Sequence, residues 1–108
     1  MVAAFLFLEI MDLSDWRNEI DGIDADVLRL LERRAAVVSK IGRLKARRNL
    51  PLIDEERERQ IFNRIKINAG SALSIEAATC IFQCIIEESR RIQIETRTEN
   101  AQENSNSR

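Results

Sequence analysis

From Ser14 onward the apolar residues Trp16, Ile20, Ile23, Val27, Leu30, Val37, Ile41 and Leu44 recur at alternating steps of three and four. That spacing lines one face of an α-helix. Nothing interrupts it before Asn49-Leu50-Pro51, so it predicts one helix of about 34 residues, roughly 50 Å long at 1.5 Å per residue. Ser14 is the expected N-cap, with Asp15 and Glu19 near the positive end of the helix dipole. Pro51 marks a loop, after which Asp54 is placed to cap a second, shorter helix that opens on Glu55, Glu56, Arg57 and Glu58. Ile61, Phe62 and Ile65 carry it toward Asn68 and Gly70, where glycine suits a left-handed C-terminal residue. Ser74 caps a third helix, in which Ala78, Ile81, Phe82, Ile85, Ile86 and Ile92 keep the helical period. Residues 98–108 are polar without an apolar pattern and are expected to be disordered.

A seam of that length cannot be covered by one short helix folded back beside it. The pattern therefore predicts an all-α fold of three helices, one long and two shorter, completed as an intertwined homodimer in which two long helices lie side by side. Residues 14–97 form the expected domain, between an N-terminal extension (1–13) and the polar tail (98–108). Within the extension, residues 2–11 are apolar but broken by Glu9, without a basic lead or a small-residue cleavage pattern, and too short to span a bilayer. The expected reading is a natural start at Met11, with residues 1–10 as an upstream extension, on a cytoplasmic protein.

Composition narrows the chemistry. With 3 Gly, 1 Pro and no Tyr among 108 residues, little is available to punctuate strands. Lys and Arg total 17 against 18 Asp and Glu, which gives no overall field for a nucleic-acid backbone, and the run Arg43, Lys45, Arg47, Arg48 has no interleaved aromatics. The chain has no His, which removes histidine triads, histidine zinc sites and histidine general bases together. Cys80 and Cys84 lie four apart on one helix face and read as small packing residues, reduced and not metal-bound.

Polar residues then appear where apolar ones belong. Arg34 sits in the seam between Leu30 and Val37, and Lys45, eleven residues on, lies about 20° from it around the axis at 100° per residue. On the third helix Ser89 and Gln93 each fall about 20° from the direction of Phe82. Arg17 lies about 100° off the line of Arg34, facing away from its own chain's pocket, so in a dimer it could reach the neighbour's site. Arg57 and Glu58 stand in the first turn of the second helix, near free backbone N–H groups. Any one of these cations could lie along an apolar surface with its head in water. Several brought into a helical interior require an anionic partner or ligand to offset desolvation. Arg33, Arg47, Arg59, Arg90 and Arg91 read as a solvated face paired with neighbouring carboxylates.

These residues resemble a known family. Trp16-Arg17-Asn18-Glu19-Ile20-Asp21-Gly22-Ile23-Asp24, Leu30-Leu31-Glu32-Arg33-Arg34 and Ile41-Gly42-Arg43-Leu44-Lys45 resemble the long first helix of the all-helical chorismate mutases. Asp54 to Arg59, and Phe82 to Ser89 with Gln93, resemble the second and third helices. The likeness covers about residues 14–97. It implies an intertwined homodimer converting chorismate to prephenate on the shikimate route to Phe and Tyr. Arg34 and the other chain's Arg17 would grip the substrate carboxylates, with Arg57 adding positive potential and Ser89 assisting. Lys45 and Gln93 would donate to the ether oxygen, while Glu58 and the Asp54 backbone N–H would hold the ring hydroxyl.

The rearrangement breaks one C–O bond as one C–C bond forms, so it calls for no nucleophile, metal or cofactor. It needs a compact reactive conformer and positive charge at the ether oxygen. Arg suits the carboxylates through its planar fork, and Lys45 serves as a point charge. Two other functions fit the same fold: an isochorismate-pyruvate lyase, against which Glu58 argues, and a non-catalytic helical dimer module.

Overall fold

The computed structural model describes residues 10–106, and these contain helices and no strand. The helices are α1 (Leu13–Arg47), α2 (Glu55–Asn68) and α3 (Ile75–Asn106). The chain divides into two compact units within α1, after Arg34.

The first unit holds the opening turns of α1. Its cap is Asp12 and not the expected Ser14. The Asp15 N–H donates to the Asp12 carboxylate at 2.9 Å and the Asp12 N–H donates to the Asp15 carboxylate at 3.1 Å. This reciprocal pair satisfies two donors, where a serine two residues later would satisfy one. The predicted seam is present and exposed among the described residues: Ile20 is 57% and Leu30 59% exposed, and Trp16, Ile23 and Val27 are also exposed. The amphipathic pattern specifies the helix by its spacing alone.

The second unit contains the last turns of α1 with α2 and α3, and its core is thin. Val38, Ile65, Ala78 and Ile86 are buried, together with Gly42, Ser89 and Thr96. On this part of α1 the buried residues are Val38 and Gly42, whereas Val37, Ile41 and Leu44 of the seam stay exposed. The intrachain contact therefore uses the neighbouring face of the helix. Gly42 sets how closely α1 meets α3. A Cβ there would fall inside contact distance of Thr96 Oγ1 and 3.2 Å from Gln93 Cα, so only hydrogen fits.

α2 begins and α3 begins as the sequence predicts. Asp54 caps α2 by accepting from the Arg57 N–H at 3.0 Å, and Ser74 Oγ caps α3 by accepting from the Ala77 N–H at 3.1 Å. The far end of α2 differs from expectation. Gly70 does not adopt a left-handed conformation; Ala69 leaves the helix with extended backbone, and its N–H still donates to Ile65 O at 2.8 Å. The Asn68 side chain donates to Arg64 O at 3.0 Å, so the closing carbonyls are satisfied without a glycine turn.

Expected disorder over residues 98–106 is also corrected, because α3 runs on to Asn106. No Gly or Pro follows Gly70, and Ala101, Gln102 and Glu103 favour helix. Arg43 and Arg47 of α1 line a polar cavity of about 460 Å³ with Glu99 and Glu103, which sets opposite charges across it. Residues 1–9 and 107–108, including most of the proposed extension, lie outside the described residues. Cys80 and Cys84 are exposed, so they do not pack inside this chain; two polarizable side chains on an outer helix face have no core to fill. Among the described residues no helix is long and apolar enough to cross a membrane.

Gly42→Ala should overpack the α1–α3 crossing and destabilise the fold by about 1–3 kcal/mol, read from urea denaturation. Adding Thr96→Ala should recover part of that loss, because it removes the hydroxyl the new methyl meets.

Candidate functional site

The site is assembled where α1 stops. Asn49 takes the left-handed conformation, φ 56°, and the Leu50 N–H donates to Lys45 O at 2.8 Å while the Asn49 N–H donates to Ala46 O at 3.3 Å. This is the Schellman pattern, with asparagine in the place glycine usually takes. It turns the chain so that Lys45 Nζ can donate to Leu52 O at 2.9 Å. Arg97 Nη2, from α3, donates to Leu50 O at 2.6 Å. Two loop carbonyls are thereby fastened by cations from two helices.

Lys45 Nζ also donates to Gln93 Oε1 at 2.8 Å, a contact allowed by the close approach at Gly42. Gln93 is oriented from its other end, its amide N–H donating to Ser89 O at 3.3 Å. Ser89 is buried and its hydroxyl donates to Ile85 O at 2.8 Å. An ammonium has three donors and an amide nitrogen two. Lys45 thus retains one N–H, and Gln93 one amide N–H, for a ligand.

The first turn of α2 supplies the opposite charge. Asp54 starts the helix, and four residues on, Glu58 projects on a neighbouring line of the same face. Arg90 of α3 holds the Glu58 carboxylate with both arms of its fork, Nε donating to Oε2 at 3.0 Å and Nη2 to Oε1. Glu58 is only 20% exposed. The Arg90 guanidinium is raised above its ordinary value, chiefly by these hydrogen bonds, then against desolvation by attraction to Glu58, Glu87 and Glu55. Arg57 remains exposed, its Nη1 donating to Gln60 at 3.3 Å.

Of the residues singled out from sequence, Lys45, Gln93 and Ser89 form one connected set, and Asp54, Arg57 and Glu58 share the start of α2. Lys45 and Asp54 line one open cleft of about 590 Å³ with Leu50, Pro51, Ile53 and Glu55. Arg17 is exposed and Arg34 half-buried, both in the first unit. Arg90 is not the solvated-face residue expected, because the carboxylate it meets belongs to another helix. Its signal was its position three residues before Gln93, one turn along the same helix. Arg97, four residues after Gln93, carries the same signal. Arg59 and Arg91 do behave as a solvated face, pairing with Glu56, and with Glu88 and Glu95. Glu88 is held below its usual carboxylate value chiefly by its hydrogen bond from Arg91.

A family model described as Chorismate mutase type II matches residues 16–94. The chain is 42% identical over 79 residues to the bifunctional chorismate mutase/prephenate dehydratase of Aquifex aeolicus, covering 69% of this chain and 22% of that protein. It is 31% identical over 85 residues to the chorismate mutase of Methanocaldococcus jannaschii, covering 78% of this chain and 86% of that one. The T-protein of Haemophilus influenzae is 33% identical over 60 residues. The chain spans about a fifth of the length of the bifunctional relatives it matches.

Asp54→Ala should fray the first turn of α2 and cost about 1 kcal/mol of stability, with Asp54→Asn much closer to the parent. Paired thermal melts of the two variants measure this.

Proposed function

Because the chain belongs to the chorismate mutase type II family, we propose that it converts chorismate to prephenate by holding the substrate in its reactive conformer and stabilising charge at the breaking ether bond. The observation that carries the reading is the half-buried Lys45 ammonium. Leu52 O and Gln93 Oε1 fix it at 2.9 and 2.8 Å, and its third N–H is left to act on a substrate oxygen. A positioned donor of this kind needs no reorganisation as negative charge develops.

The remaining roles follow from charge and shape. Arg34 would bind one carboxylate, aided by Ser89 after its hydroxyl rotates away from Ile85 O. Arg57 would add positive potential, and Gln93 would direct its free amide N–H to the ether oxygen beside Lys45. Glu58 and the Asp54 N–H would take the ring hydroxyl. The carboxylates and the hydroxyl together would fix the conformer, which lowers the entropic part of the barrier.

The exposed seam of α1 supports a two-fold dimer. Trp16, Ile20, Ile23, Val27 and Leu30 are exposed along one helix, a contiguous apolar stripe of a kind that marks an association surface. In that assembly Arg17 would enter the partner's site and bind the second carboxylate. The same reading puts the protein in the cytoplasm, where the exposed Cys80 and Cys84 stay reduced.

The direct test supplies purified protein with chorismate and, separately, isochorismate. Prephenate from the first is expected; salicylate and pyruvate from the second, without prephenate, would overturn the assignment. Lys45→Ala should lower kcat by about 10²-fold or more while circular dichroism shows the helices intact. Arg17→Ala and Lys45→Ala chains, each inactive alone, should regain activity when mixed, because one heterodimer site then holds both intact residues. Absence of rescue, with subunit exchange verified by mass spectrometry, would place Arg17 in its own chain's site.

A further inference from the structure

We propose that Arg90 is the positioning residue of Glu58, orienting and charge-balancing this carboxylate so that it can receive a hydroxyl of a dianionic substrate. The inference rests on the chorismate mutase reading above and concerns a residue outside the set that reading uses. Glu58 lies in the first turn of α2 and Arg90 on α3, so their contact is not the near-neighbour pairing of one helix surface. Both guanidinium arms are engaged, Nε at 3.0 Å from Oε2 and Nη2 on Oε1. Planar fork-to-carboxylate pairing fixes the plane of the carboxylate as well as its position.

An ionised carboxylate offers about four lone-pair sites. Arg90 occupies one on each oxygen, and the others face away from the guanidinium, free to accept from a hydroxyl. Without the fork, the Glu58 side chain would be free to rotate at the start of a helix.

Charge gives the second half of the argument. A lone Glu58 beside a doubly negative ligand would repel it and cancel part of the attraction from Lys45 and Arg57. Arg90 balances that charge locally, while the hydrogen-bonding capacity of the carboxylate is kept. Arg90 is 38% and Glu58 20% exposed on their side chains, so the pair is partly sheltered and its attraction less screened than that of a fully exposed pair.

The experiment measures kcat and KM for chorismate in Arg90→Ala, Arg90→Lys, Glu58→Gln and the double variant Arg90→Ala/Glu58→Gln, alongside their melting temperatures. Arg90→Ala is expected to lower kcat/KM by about tenfold to a hundredfold, the scale set by loss of orientation. Arg90→Lys keeps the charge and loses the fork, so it should recover part of KM and little of kcat; being closer to the parent, it also serves if the alanine variant does not fold. The double variant should be no worse than Glu58→Gln alone, since residues acting through one group do not add.

Arg90→Ala with a lower melting temperature and unchanged kcat and KM would overturn the proposal and leave Arg90 as a fastening between helices. A lysine variant at full parental kcat and KM would remove the orienting role. Losses that multiply in the double variant would show that Arg90 acts without Glu58. If the parent protein makes no prephenate, the functional reading fails and this inference falls with it; an active parent with an unaffected Arg90→Ala removes only the inference.

Discussion

Everything at the site hangs on the ammonium of Lys45, which is held by a loop carbonyl on one side and a glutamine amide on the other. Two of its donors tie together three segments: the end of α1, the loop before α2, and α3. A half-buried cation without such acceptors would carry an uncompensated desolvation cost. With them it is held in place, and an ammonium has one donor beyond these two. The fold and the candidate site therefore share the same two bonds. The Schellman turn at Asn49 and the Arg97 bond to Leu50 O exist in this chain to bring the Leu52 carbonyl within reach.

Around that point the charges are arranged in two groups with different tasks. Lys45 and Arg57 donate to neutral acceptors, Leu52 O and Gln93 for the one and Gln60 for the other. Arg90 is spent on Glu58, and the outer arginines Arg59 and Arg91 are spent on neighbouring carboxylates along their own helices. A chain with a formal charge of only −1 still differs in charge from place to place, because Arg29, Arg59, Arg90 and Arg91 are paired with carboxylates at short range.

The helices were legible because their spacing, caps and breaks are local. Asp54 and Ser74 announce α2 and α3 by residue type alone, and Asn49-Leu50-Pro51 announces the end of α1. What could not be read was anything decided by a competing local bond. Asp12 outcompetes Ser14 as a cap through its reciprocal partner Asp15, and the Asn68 side chain makes a glycine turn at Gly70 unnecessary. Absence of apolar spacing after Arg97 suggested disorder, yet helix persists where nothing breaks it and opposite charges flank it. At the site, Lys45, Ser89 and Gln93 stood out as polar groups on an inward line. Arg90 did not, because a cation that pairs between helices has the same spacing as one that faces water.

The glycine at position 42 has a further bearing on the chemistry. With only hydrogen at this position, no side chain of α1 intervenes where its backbone meets α3. The spacing of Lys45 and Gln93, which hydrogen-bond across the two helices, is therefore insensitive to rotamer changes at that point of α1. The smallest residue in the chain thereby steadies a bond it takes no part in.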